Sequence, residues 1–415
     1  MSKFLLRGGC VLTLGARTPN FSEADVLIDG DRIAEVGPGL RARDAEVVDA
    51  ADTIVMPGFV DTHRHVWRSL SRNLGDGPSN QGEHYDSDDV YAATLIGLLG
   101  AVEAGITTVV DWSDVNQDCQ YADAALQAHL DAGLRTVLVI PNLDVSRRLH
   151  KTVGTTATSV AFGATDSGSG ENWAAARQLG GRIHTHAGMD PAESGQVAGF
   201  GGMLGPDVTL IHCTNLDDGD LDAISAAGAK VSLTPSSDMA GGMGSPPIQR
   251  IIDRRIRPGL GIDDEMVGPG DMFAQMRATI SLQHATFFDL KLAGKAGLPN
   301  LLTTREVIRF GTIDGAGAIG LGSLTGSLEP GKQADVVMLR SDRPNIVPVN
   351  DPIGAVVWGM DTSNVDWVFA GGQALMRSGV LTADLTRARS LATTAQTRVS
   401  EAVALVAATG SGERP

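Results

Sequence analysis

The run Val60-Asp61-Thr62-His63-Arg64-His65 most narrows what this chain can fold into, because it sets two imidazoles one residue apart directly after the strand-like stretch 53–59. Side chains at i and i+2 of a strand share a face. At the open end of a sheet, His63 and His65 can therefore reach one metal ion, which takes neutral imidazole nitrogens at about 2.0–2.1 Å. Taken alone, the pair reads equally well as two packing histidines beside a turn. Further polar residues also close apolar runs: His184 and His186 after 179–183, His212 after 208–211, and Asp263 after 258–262. Histidines and an aspartate at the ends of separate strands are what a metal site in a parallel β/α barrel requires, since such barrels build their chemistry at the C-terminal strand ends.

The rest of the chain is consistent with an α/β fold of this kind. A barrel takes about 250 residues, so a chain of 415 leaves a substantial remainder for other structure. Candidate barrel strands are 55–65, 107–112, 135–141, 159–164, 182–186, 209–212, 230–234 and 258–263. Residues 3–14 and 24–36 alternate apolar and polar about an Asp29-Gly30-Asp31 turn, and short β runs return at 334–339, 355–358 and 365–375. The expected organisation is a (β/α)8 TIM-like barrel over 56–324, a small β-sandwich from 1–55 plus 325–380, and a C-terminal helix and frayed tail over 381–415. A net charge of −16 argues against nucleic acid or anionic membrane as a partner. Three scattered cysteines, no secretory apolar region and no membrane-length apolar run make a cytoplasmic protein the expectation. Cys213 reads as a small buried residue.

The run Met56-Pro57-Gly58-Phe59-Val60-Asp61-Thr62-His63-x-His65, the phrase Ala104-Gly105-Ile106-Thr107-Thr108-Val109 and the ending Gly326-Ser327-Leu328-Glu329-Pro330-Gly331-Lys332-x-Ala334-Asp335 resemble the amidohydrolase superfamily. Within it the chain is most similar to the cytosine-deaminase-like branch, which holds nucleobase and S-adenosylhomocysteine deaminases and the triazine hydrolases. The resemblance implies that His63, His65, His186 and Asp263 are metal ligands, that Asp263 also accepts a proton from water, and that His212 contacts water or substrate. It leaves His184 a packing residue. Binuclear members carry a bridging lysine on the fourth strand. The corresponding run 159–165 has none, and Lys151 reads as a solvated loop residue. One divalent ion is therefore expected, Zn²⁺ or Fe²⁺ being equally suited to histidine and carboxylate ligands.

One position departs from the branch, whose deaminases place a glutamate three residues after the fifth-strand histidine. Here that position is Met189, and a thioether moves no protons. Asp190 and Glu193 can substitute only if their loop bends inward; the plainer expectation is exposed loop charge. The substrate-facing candidates are Trp67, Asp76 and His84 after the first strand, Trp112 and Asp114 after the second, and Ser236, Ser237 and Asp238 after the seventh, with Met189 beside them. The expectation is a metal-dependent hydrolase acting on a C–N bond of a small cyclic nitrogen-containing substrate, possible as a homo-oligomer. A lyase or cyclase on the same scaffold and a non-catalytic binding protein are the alternatives.

Overall fold

The apolar run leading to the paired histidines breaks at Gly58 into two strands that belong to different sheets. A side chain at Gly58 would meet Thr107 at 2.2 Å, so only glycine lets the chain pass here. The computed structural model describes residues 3–75, 81–115, 118–153, 158–164 and 170–410. Asp76 and the tail beyond residue 410 lie outside them.

In chain order the first strands are β1 (Lys3–Val11), β2 (Phe21–Asp29), β3 (Arg32–Gly37), β4 (Glu46–Asp49) and β5 (Thr53–Pro57). Eight more follow: β6 (Phe59–Arg64), β7 (Ile106–Trp112), β8 (Arg135–Ile140), β9 (Thr158–Ala164), β10 (Ile183–Ala187), β11 (Val208–His212), β12 (Lys230–Leu233) and β13 (Gly259–Leu260). The last are β14 (Val336–Arg340), β15 (Val365–Ala370), β16 (Gln373–Arg377) and β17 (Val380–Leu381). Strands β6 to β13 close into a parallel barrel. Both ends of the chain meet in a mixed sheet of order β17-β16-β15-β14-β5-β1-β2-β3, with β4 on β1. The expected turn joins β2 to β3, where Asp29 faces Arg32 and Gly30 takes φ 62°, the left-handed backbone that two-residue hairpins need.

The first barrel strand is thus β6 alone, not the continuous 55–65 run. Two other expectations change. The eighth strand is shorter than 258–263, and Asp263 lies beyond it in an isolated bridge with Arg64. Residues 355–358 form no strand. Asp351 accepts from the N–H groups of Ile353 and Gly354, Pro352 opens a helix, and the chain continues as a π-helical turn over Ala355–Gly359. The β-branched pair Val356-Val357 suggested a strand, but the Asp-Pro start signal before it prevails.

Inside the strand ring, Val60, Val110, Trp112, Val137, Val139, Ala161 and Ile211 pack together with Ala316 and Ile319. Fully burying such large apolar side chains stabilises the fold by roughly 1.5–3 kcal/mol each, which keeps the barrel filled and its strand ends fixed. The C-terminal helix Leu385–Gly410 lies against the helix Ser87–Glu103, with Ala395 and Val399 in one core with Val90 and Ala93, and Arg398 pairs with Asp89. Among the described residues no helix is long and apolar enough to cross a membrane.

Candidate metal centre

The strand ends turn their side chains inward by backbone strain as well as by pleat. His212, Cys213 and Asp263 take φ of 69°, 63° and 69°, left-handed values that non-glycine residues adopt at a cost of order 1–3 kcal/mol. Asp263 is held there from both sides: its N–H donates to the His63 carbonyl (2.9 Å) and its carbonyl accepts from the His65 N–H (2.6 Å). Gly261 allows the approach, since a Cβ there would lie 2.8 Å from the His63 carbonyl oxygen.

Four side chains then converge. His63 Nε2 lies 3.2 Å from Asp263 Oδ1 and 3.3 Å from His186 Nε2, and His65 Nε2 is 3.6 Å from the same Oδ1. His63, His65 and His186 form one set whose donor atoms all fall within 4.8 Å of one another; His63, His212 and Asp263 form another. Burial disfavours the charged imidazole, holding His63 down to about 4 and His186 well below its ordinary value. Burial also works against an ionised Asp263, but the hydrogen bond from His63 and the surrounding imidazoles outweigh it and keep the carboxyl well below the usual range. Two imidazole nitrogens turned toward each other at 3.3 Å beside a buried carboxylate are donor atoms aimed at one point, which a cation would satisfy. Nitrogen and carboxylate donors in this number suit a divalent metal.

A surrounding layer fixes these groups. Asp114 Oδ1 contacts His65 Nδ1 at 3.2 Å and accepts from Trp67 Nε1 at 2.9 Å. Burial would raise the Asp114 carboxyl, yet His65 and the two hydrogen bonds pull it to about 2. Ser237 Oγ donates to the other oxygen of Asp263, Oδ2, at 2.5 Å. Asp238, fully buried, holds His212 Nδ1 at 2.8 Å and accepts from Thr234 Oγ1 at 2.8 Å. Burial opposes charging His212, but the Asp238 bond and the charges of Asp263 and Asp238 raise it overall. Under the site, Arg64 is buried against Glu265 at 2.8 Å and Asp61 at 3.6 Å.

A cavity of about 590 Å³ opens over these groups. Its wall brings together His65, His186, His212, Asp263, Trp112, Asp114, Ser237 and Met189 from the sequence-derived set. The Trp112 ring centre lies 4.2 Å from that of His186. Four of the described candidates lie elsewhere, Asp238 behind His212 and three others. Trp67 sits behind His65 and packs on Tyr85, because the chain leaves β6 into the 3-10 turn Val66–Ser71 and strand alternation stops. His84 offers its carbonyl to Arg398. Ser236 is one residue out of phase: the helix Pro235–Ala240 turns Ser237 to Asp263 and leaves the Ser236 N–H on Gln275. His184 lies buried with neither ring nitrogen hydrogen-bonded among the described residues, and Lys151 is exposed on the helix Leu143–Val153.

The wall also contains residues the sequence did not single out. Arg68 pairs with Asp264 at 3.0 Å, and Met243, Met266 and Val267 form an apolar side. Asp264 adjoins a strand-end aspartate and Arg68 falls one 3-10 turn after His65, so both carried a local signal. The two methionines and the valine reach the cavity from loops without periodicity and carried none.

A model of the amidohydrolase family matches residues 54–375. The chain is 29% identical to a 5'-deoxyadenosine deaminase of Methanothermobacter thermautotrophicus, over 86% of this chain and 90% of that one. It is 28% identical to a 5-methylthioadenosine/S-adenosylhomocysteine deaminase of Desulfitobacterium hafniense, over 93% and 96%. A zinc-bound adenosine deaminase from Xanthomonas campestris has the same fold, with a TM-score of 0.84 at 20% identity over 96% and 99% of the two chains.

Proposed function

Since the chain belongs to the amidohydrolase family, we propose that it is a mononuclear metal-dependent deaminase that removes the amino group of a small nitrogen heterocycle, with an aminopurine nucleoside as the first substrate class to try. The observation that carries this is the convergence of His63, His65, His186 and Asp263 at strand ends beneath one cavity. The relatives named for 5'-deoxyadenosine, 5-methylthioadenosine and S-adenosylhomocysteine support the substrate class.

In this reading His63, His65, His186 and Asp263 would hold one Zn²⁺ or Fe²⁺. Such an ion lowers the pKa of a bound water from roughly 15.7 toward about 7, supplying a nucleophile at neutral pH. Asp263 accepts the water's proton through an oxygen that Ser237 keeps oriented, and delivers it to the departing nitrogen. His212, held through Nδ1 by Asp238, presents Nε2 to the attacking water oxygen as a hydrogen-bond partner that orients it toward the ring carbon. Trp112 and the Met243, Met266 and Val267 side exclude water around an aromatic ring.

The test is ammonia release from adenosine-type nucleosides and other aminated heterocycles, by protein carrying about one Zn²⁺ or Fe²⁺ per chain. Release that a chelator abolishes and Asp263→Asn cuts below about a tenth supports the reading. Silence of metal-loaded protein across the panel refutes it.

A further inference from the structure

The loop after β10 bends inward, and it brings a different carboxylate to the cavity from the one expected at position 189. Glu193 lines the cavity with His186, His212 and Asp263, whereas Asp190, the nearer acid in sequence, does not. Asp190 instead caps the single 3-10 turn Pro191–Glu193, its side chain accepting from the Ala192 N–H at 2.8 Å. That turn delivers Glu193. The Met189 N–H donates to Glu193 Oε2 at 3.1 Å, which folds the glutamate back over the residue whose side chain lacks an acid.

The loop is held at both ends. The Gly188 carbonyl accepts from Thr214 Oγ1 at 2.6 Å and from the Asn215 N–H at 2.9 Å. Beyond the turn, the N–H groups of Gly195 and Ala198 donate to the buried Asp220 carboxylate at 2.7 and 2.9 Å. Glu193 is therefore presented on anchored backbone, as a proton-transfer group must be.

We infer that Glu193 is the proton-transfer carboxylate of this site, doing from the loop what Met189 cannot; the inference rests on the deaminase reading above. In the addition half, the water oxygen bonds to the amino-bearing ring carbon, one water proton goes to Asp263, and the C=N electron pair moves to the ring nitrogen, which takes a proton from Glu193. In the elimination half, the amino nitrogen takes the proton held by Asp263 and leaves as ammonia, while the new hydroxyl returns a proton to Glu193 and becomes the carbonyl. Both carboxylates end as they began, and the sum is water plus amine giving lactam plus ammonia.

The experiment uses metal-loaded full-length chain and a heterocycle that the wild type deaminates. Glu193→Gln keeps an oxygen for the Met189 N–H but cannot shuttle protons, and its kcat should fall about 100-fold or more with KM and metal content little changed. Asp190→Asn should stay near the wild-type rate. Adding Met189→Glu to Glu193→Gln should recover at least about tenfold, because a carboxylate is restored on the same loop. A Glu193→Gln enzyme within about threefold of wild type overturns the assignment while leaving the deaminase reading intact. A large loss that Met189→Glu does not recover also overturns it, since that is the signature of a damaged loop. Wild-type protein that releases no ammonia from any substrate overturns both.

Discussion

Replacing Asp114 tests whether His65 is held from behind for a metal. One oxygen of Asp114 faces His65 Nδ1 at 3.2 Å and takes the Trp67 indole N–H at 2.9 Å. A carboxylate there fixes the proton on Nδ1 and leaves the Nε2 lone pair free toward the other ligands. Outer partners of this kind are typically worth 10–100-fold in metal affinity. Asp114→Asn keeps an acceptor in place but loses the charge, so a loss of about tenfold is expected. Asp114→Ala loses both, and a loss of about 100-fold, or about 2.7 kcal/mol, follows. The alanine variant also strands a buried indole N–H, which should lower folding stability by roughly 1–3 kcal/mol. Competition titration against a chromophoric chelator reads the affinity, and denaturant unfolding of the metal-free protein reads the stability separately. Asp114→Ala binding the metal within about threefold of wild type would refute the argument that this carboxylate sets the His65 tautomer.

Ser237→Ala should lower kcat by about 10–100-fold, because a hydrogen bond to an ionised group is worth about 1.5–3 kcal/mol, while Ser236→Ala should leave it unchanged. Equal effects in steady-state kinetics would contradict the phase of that helix. Burial pushes the Tyr85 hydroxyl up to about 12, against the smaller opposing effects of Ser71 and Arg68. The unfolded chain then loses this proton near pH 10 and the folded one only near 12, so stability present below pH 10 declines as pH rises between them. Denaturant unfolding at pH 9 to 12 should display that decline and Tyr85→Phe should flatten it; an unchanged slope in the variant would exclude Tyr85 as its source.

The alternation and ends of the strands made much of the architecture legible, together with the residues that meet at its centre. His63, His65, His186 and Asp263 stand at or just past strand ends, where a sequence reader can find them. Legibility stops where the backbone changes period. Beyond His65 the chain enters a 3-10 turn, so Trp67 faces Tyr85 instead of the cavity. After β12 it enters a helix, and about 100° per residue separates Ser237, which reaches Asp263, from Ser236, which does not. At Val356-Val357 side-chain type favoured a strand, but both residues are buried, which a helical turn against the core accommodates and alternation does not. For Glu193 the sequence offered the residue and not the bend of its loop: its approach depends on a backbone N–H and on anchors at Thr214 and Asp220, far away in sequence.

The pairing of β5 with β14 has a consequence for how the protein is made. Val55 lies opposite Met338, and β5 runs through Gly58 straight into the strand that carries His63. On a ribosome, the first barrel strand therefore emerges tied to an edge whose partner is not synthesised until the whole barrel has followed. An unpaired edge of apolar residues such as Ile54, Val55 and Met56 is a template for wrong partners during that interval. The contact is also among the longest in sequence that the chain must close, which slows folding. A copy ending before Val336 would leave that edge bare, so nascent-chain lengths short of this strand are where chaperone dependence and aggregation should concentrate.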